Sequence, residues 1–98
     1  FADASKRGTE VYYFKDGHGG QELAETLHRA LVNSLGLPDR GLRTADYNII
    51  RHTKMPASLV EVAYLSNPVE EKLLADPAFR EKAAQAIVSG IMNYFRGR

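Results

Sequence analysis

The 98 residues are 44% hydrophobic and contain no cysteine, enough for one compact unit but too few for two good cores, with disulfides and thiolate metal ligands excluded. With 13 basic residues against 12 acidic ones, the formal charge is +1, which gives no electrostatic footprint for nucleic acid or an anionic membrane. No run approaches the roughly 20 apolar residues of a membrane-spanning helix and no signal-peptide pattern is present, while a chain beginning at Phe1 is expected to be a processed product or a piece of something longer.

Residues 1–8, FADASKRG, read as a loop ending in glycine, and TEVYYF follows as a strand by its β-branched and aromatic content. Val11 and Tyr13 fall on one face of that strand and Tyr12 and Phe14 on the other. KDGHGG is a turn. QELAETLHRALVNSLG has helical periodicity, with Leu23, Leu27, Ala30, Leu31 and Ser34 on one stripe and Gly36 as the stop. LPDRGLRTAD reads as a loop, YNIIRH as a short second strand and SLVEVAYL, after TKMPA, as a third. Asn67 before Pro68 is an expected N-cap, with Glu70 its capping partner, and Asp76 before Pro77 opens the last helix in the same way. That helix carries a continuous apolar stripe of Phe79, Ala83, Ala86, Ile87, Gly90, Ile91, Tyr94 and Phe95, expected to pack on the sheet. Strand, helix, strand, strand, helix, helix is an α/β order, and Arg96 and Arg98 read as a solvated tail.

The residue that does not fit this pattern is Glu61, a carboxylate near the middle of an apolar strand. Period-2 alternation groups it with Leu59, Ala63 and Leu65, and groups Val60, Val62 and Tyr64 on the other side. An ionised carboxylate buried there alone would cost several kcal/mol, so Glu61 is paired (Arg51 and Lys54 are the nearest cations in sequence), neutral, or open to a cleft. The last of these suits a general base. Tyr12, Tyr13 and Tyr64 read most simply as core or boundary residues.

GHGG at 17–20 resembles a glycine-rich anion loop only in part, and a turn is the simpler reading. His18, His28 and His52 raise the possibility of a metal. Glu25 and His28 have the three-residue helical spacing of dimetal carboxylate bundles, but the motif occurs once and such sites need it twice. For each histidine an ordinary surface or helix-face role is the expectation.

GTEVYYF, the helix segment LAETLHRALV, DRGLRTADYNIIR and above all RHTKMPASLVEVAYLSNPVEE together resemble the C-terminal half of the zinc-dependent N-acetylmuramoyl-L-alanine amidases, bacterial cell-wall hydrolases, over nearly the whole chain. The resemblance implies a twisted sheet flanked by helices, here as the C-terminal portion of a larger amidase domain spanning residues 1–98. It implies a zinc that activates water against the amide between the muramoyl lactyl group and L-alanine. It also implies that Glu61 is the general base passing a proton from that water to the leaving amine. The family's zinc ligands, two histidines and a glutamate, belong to its N-terminal half and have no counterpart here, so ligation is not carried over to His18. Arg51 and Glu10 are weaker candidates for the substrate cleft. The implied partners are peptidoglycan or muropeptide and the N-terminal half of the same domain, in a secreted, periplasmic or cell-wall location, with no nucleic acid and no membrane span. A different class of reading is a non-catalytic module that binds cell-wall peptide or protein around Glu61 and the TKMPA loop.

Overall fold

The computed structural model describes residues 3–97, so Phe1, Ala2 and Arg98 lie outside it. In chain order the elements are β1 Thr9–Tyr13, α1 Gly20–Leu35, β2 Asp39–Thr44, α2 Asn48–Arg51, β3 Leu59–Glu61, α3 Pro68–Ala75 and α4 Pro77–Arg96. The fold is α/β, with the three strands in the order β2-β1-β3.

β1 and β2 are parallel and joined through α1, the connection that two parallel strands require. β3 returns antiparallel to β1 on its other side, with Glu10 opposite Glu61, Val11 opposite Val60 and Tyr12 opposite Leu59. Directly opposed residues point to the same face. Val11 and Val60 therefore face the core, where Ala24 and Leu31 of α1 and Ala86 and Ile87 of α4 meet them, with Tyr13 and Leu42 at the margin. Glu10, Tyr12, Leu59 and Glu61 share the other face, as the alternation requires.

α1 has buried positions Ala24, Leu27 and Leu31 at helical spacing and ends at Gly36, whose φ of 67° favours glycine and whose N–H closes on the Val32 carbonyl. α4 lies along α1, and Gly90 makes that approach possible: a Cβ there would sit 2.9 Å from the Leu27 Cα. α1 packs directly on the strands, against β1 and β2. The expectation that α4 packs on the sheet holds in part: Ala86 and Ile87 meet Val11 and Val60 in the core, while most of the helix packs along α1. The stripe's lower end, Ile91 and Phe95, is exposed.

Two element assignments from sequence are overturned. The expected loop at 37–46 contains β2, although DRGLRT is poor in β-formers. Its pairing with β1 inserts Leu42 into the core margin, so tertiary contacts outweigh local propensity. The expected strand YNIIRH forms the one-turn helix α2, which buries Ile50 and leaves Ile49 70% exposed. The expected eight-residue strand SLVEVAYL is regular only over Leu59–Glu61. Both helix starts are as expected: the Asn67 side chain accepts from the N–H groups of Val69 and Glu70, and Asp76 from that of Ala78. Glu70, however, does not reach back to the cap.

Candidate active site on the open face of the sheet

The face of the sheet away from α1 carries two carboxylates on neighbouring strands, and their surroundings differ completely. Glu10 is 1% exposed, yet it has four partners. Its Oε1 accepts from the Tyr12 hydroxyl at 3.0 Å and from the Tyr64 hydroxyl, and lies 3.6 Å from Arg40 Nε. Its Oε2 lies 2.6 Å from Arg43 Nε as an ion pair, off the direction of a hydrogen bond. Arg40 also stacks over the Tyr64 ring, 5.1 Å from its centroid, and Tyr12 meets Tyr47 edge-on.

Register explains the gathering. Arg43 is opposite Tyr12 in the parallel pair and so shares its face, and Tyr64 arrives from the segment leaving β3. Burial pushes the Glu10 carboxyl up, but the two tyrosine hydrogen bonds and the Arg40 and Arg43 charges outweigh it, and the group is held below the ordinary carboxylate value. Burial and the adjacent carboxylate push Tyr12 up to about 12 and raise Tyr64 as well, so both phenols keep their protons as donors.

Glu61 sits directly across from Glu10, half-buried, and its side chain makes no ion pair or hydrogen bond among the described residues. The pairing considered from sequence is not formed: Arg51 binds Asp46 at 3.1 Å together with Asn48 and His52, and Lys54 does not pair with Glu61. Two carboxylates directly opposed on a sheet repel each other. Here the repulsion is relieved at Glu10, whose charge the two guanidiniums offset, and Glu61 keeps no ion pair among the described residues.

Of the weaker cleft candidates, Glu10 is therefore brought beside Glu61, as an internal anchor rather than a solvated strand end. Arg51 is not, being exposed within its own cluster around α2. Met55 and Pro56 border an apolar groove of about 390 Å³ with Leu23, Ile91, Tyr94 and Phe95.

A second buried carboxylate fixes the loop that carries Tyr64. Glu70 is 0% exposed; its Oε1 accepts from the Tyr64 N–H at 2.8 Å, and its Oε2 accepts from the Gly8 N–H at 2.8 Å and from Arg7 Nε at 3.4 Å. It clamps the segments flanking β1 and β3 together. Glu70→Gln keeps the shape but turns an NH₂ group toward a buried donor. It is expected to destabilise the fold by about 1–3 kcal/mol, read as a lower urea midpoint; an unchanged midpoint would refute the clamp.

The three histidines do not converge. His18 and His52 are exposed, and His28 binds Asp39 at 2.6 Å across α1 and β2, which lowers the Asp39 carboxyl. Among the described residues, no group of three or more His, Cys, Asp or Glu side chains is placed to hold a metal ion.

Residues 1–93 match the family model described as N-acetylmuramoyl-L-alanine amidase. The chain belongs to that family. The probable cell wall amidase LytH of Staphylococcus epidermidis is 39% identical over 92 residues, 94% of this chain and 31% of that protein. The N-acetylmuramoyl-L-alanine amidase LytC of Bacillus subtilis is 37% identical over 95% of this chain and 19% of its own length. Among solved structures, the catalytic domain of the amidase CwlV from Bacillus (Paenibacillus) polymyxa superposes with a TM-score of 0.90 at 38% identity, over 100% of this chain and 54% of that one. The CwlD amidase of Clostridioides difficile, solved in complex with the GerS lipoprotein, gives 0.93 at 29% identity over 100% of this chain and 51% of that one. The chain thus spans a third or less of these curated amidases and about half of the solved amidase chains.

Sequence reasoning about this amidase segment gave Arg40 and Arg43 no role, read Tyr64 as a core or boundary residue and took Glu70 for a capping partner. Only an apolar strand interrupted by charge marks such a face, and TEVYY at Glu10 is such an interruption as much as SLVEV is at Glu61.

Proposed function

We propose that residues 1–98 form the C-terminal part of a peptidoglycan amidase catalytic domain and contribute Glu61 to hydrolysis of the amide between N-acetylmuramic acid and L-alanine. The observation that carries this is the contrast on the open face: Glu10 is fully engaged, while Glu61, on the adjacent strand, has a fixed backbone, partial burial and no ion pair or hydrogen bond to its side chain among the described residues. In the reaction, Glu61 takes a proton from the attacking water as the new carbon–oxygen bond forms, then delivers it to the alanine nitrogen as the carbon–nitrogen bond breaks.

Zinc, the cofactor the resemblance implies, finds no donor set among the described residues, so no step is assigned to it here. Its ligands, and the strands that would pair along the free edge of β3, are proposed to come from the other half of the domain, in keeping with the share of the solved amidase chains that this chain covers. Peptidoglycan is the proposed substrate and the cell wall or the extracellular space the proposed location, by analogy with the cell-wall amidases it resembles. No helix among the described residues is long and apolar enough to cross a membrane.

The test is product analysis. The enzyme with its complete catalytic domain, incubated with purified muropeptide, is expected to release sugar from peptides whose new amino terminus is L-alanine. Binding of muropeptide with neither product formed would select the non-catalytic module instead.

A further inference from the structure

Arg43 has features that the proposed reaction does not use. Two guanidiniums, Arg40 and Arg43, face the single carboxylate of Glu10, and the tyrosines that complete the cluster stay protonated. The cluster therefore carries one positive charge in excess. Its two cations are not equivalent: Arg40 is stacked on Tyr64 with Nε buried, whereas the Arg43 side chain is 51% exposed. Glu10 fixes Arg43 at Nε, and among the described residues Arg43 has no other ion pair or hydrogen bond. The outer donors of its planar fork are left for a ligand, and a fork held on one side is pre-organised to grip a carboxylate on the other.

Its position relative to Glu61 sets the ligand's dimensions. The backbones of Glu61 and Arg43 stand two strand spacings apart and two residues offset, roughly 12 Å, and the Arg43 side chain leans from there toward Glu10, the immediate neighbour of Glu61. That leaves its guanidinium within one to two residues of extended peptide from Glu61. Of the groups around it, Tyr12 and Tyr64 keep their protons and Tyr47 adds aromatic surface, while the nearby anions are Glu10, which holds its Nε, and Glu61 one strand beyond Glu10.

We propose that Arg43, held by Glu10, is a specificity-determining residue that binds a carboxylate of the substrate peptide within two residues of the scissile amide. This rests on the reading of Glu61 as the reaction centre for its substrate register, though not for the binding itself. Glu10 is then a positioning residue, acting through Arg43.

Two muropeptides identical except that the residue after L-alanine bears either a free carboxylate or a carboxamide decide the matter, using the enzyme with its complete catalytic domain. Wild type is expected to prefer the carboxylate. Arg43→Gln should raise KM for the carboxylate substrate by about 10–100-fold, at least 10-fold more than for the carboxamide, with kcat at saturation little affected, and Arg43→Lys should recover part of the loss. Equal losses on both substrates, or no loss on either, would overturn the proposal. Calorimetric binding of both peptides to the Glu61→Gln enzyme reads the same preference without turnover, so a failed assignment of Glu61 does not disguise a failed assignment of Arg43. Should Arg43→Gln not fold, absence of a carboxylate preference in the wild type overturns the inference by itself.

Discussion

Glu61→Gln, introduced into the enzyme with its complete catalytic domain, is expected to lower kcat by about 10²–10⁴-fold, the usual contribution of a positioned proton-transfer group. The substitution preserves size and hydrogen-bonding shape and removes only basicity. The Glu61 side chain forms no ion pair or hydrogen bond among the described residues, so nothing in the fold is lost with its charge, and stability should stay within about 0.5 kcal/mol of wild type. That pairing of outcomes is the discriminating feature: a structural carboxylate loses stability when neutralised, a catalytic one loses rate. Stopped hydrolysis with an unchanged urea midpoint supports the assignment. Turnover within a few-fold of wild type rules it out, and a falling midpoint alongside falling rate would mean that Glu61 has a structural partner after all.

How much of this was legible beforehand depends on which residues signal locally. Asn67 and Asp76 before prolines marked both late helix starts, since capping is satisfied within four residues. Period-2 alternation placed Glu61 on the face opposite Val60, and the segments around it carried the family resemblance. β2 was invisible because DRGLRT has no strand character of its own; what makes it a strand is the edge of β1, Leu42 filling the core margin and two arginines answering a carboxylate some 30 positions earlier in the chain. YNIIRH failed in the opposite direction. Its β-branched pair suggested a strand, but only Ile50 has a buried place to go. The anchor around Glu10 joins three segments of the chain, and a single sequence carries no sign of contacts at such separation. Glu70 was read as a local capping partner for the same reason, whereas its carboxylate is drawn to Gly8, some 60 residues away.

Glu10→Gln is the second change expected to have a large effect, and its signature lies in pH. At neutral pH it removes the charge that two guanidiniums are arranged to meet, one of them with a buried Nε, and weakens both tyrosine hydrogen bonds; a loss of about 2–3 kcal/mol is expected. Since the folded carboxyl is held below its unfolded value near 4.5, the unfolded chain binds more protons in the interval between the two, and the contribution of Glu10 is lost as pH falls through that interval. In the wild type, that part of the stability is complete above the unfolded value and declines in acid. In Glu10→Gln it is absent throughout. Urea midpoints of the two proteins should therefore differ most at neutral pH and converge as the pH drops below about 4.5 toward the folded value. A gap that stayed constant into acid would show that the ionised form of Glu10 is not what binds the arginines. The loss would then come from packing around the side chain, and Arg43 would have no charged anchor to hold it in place for a substrate.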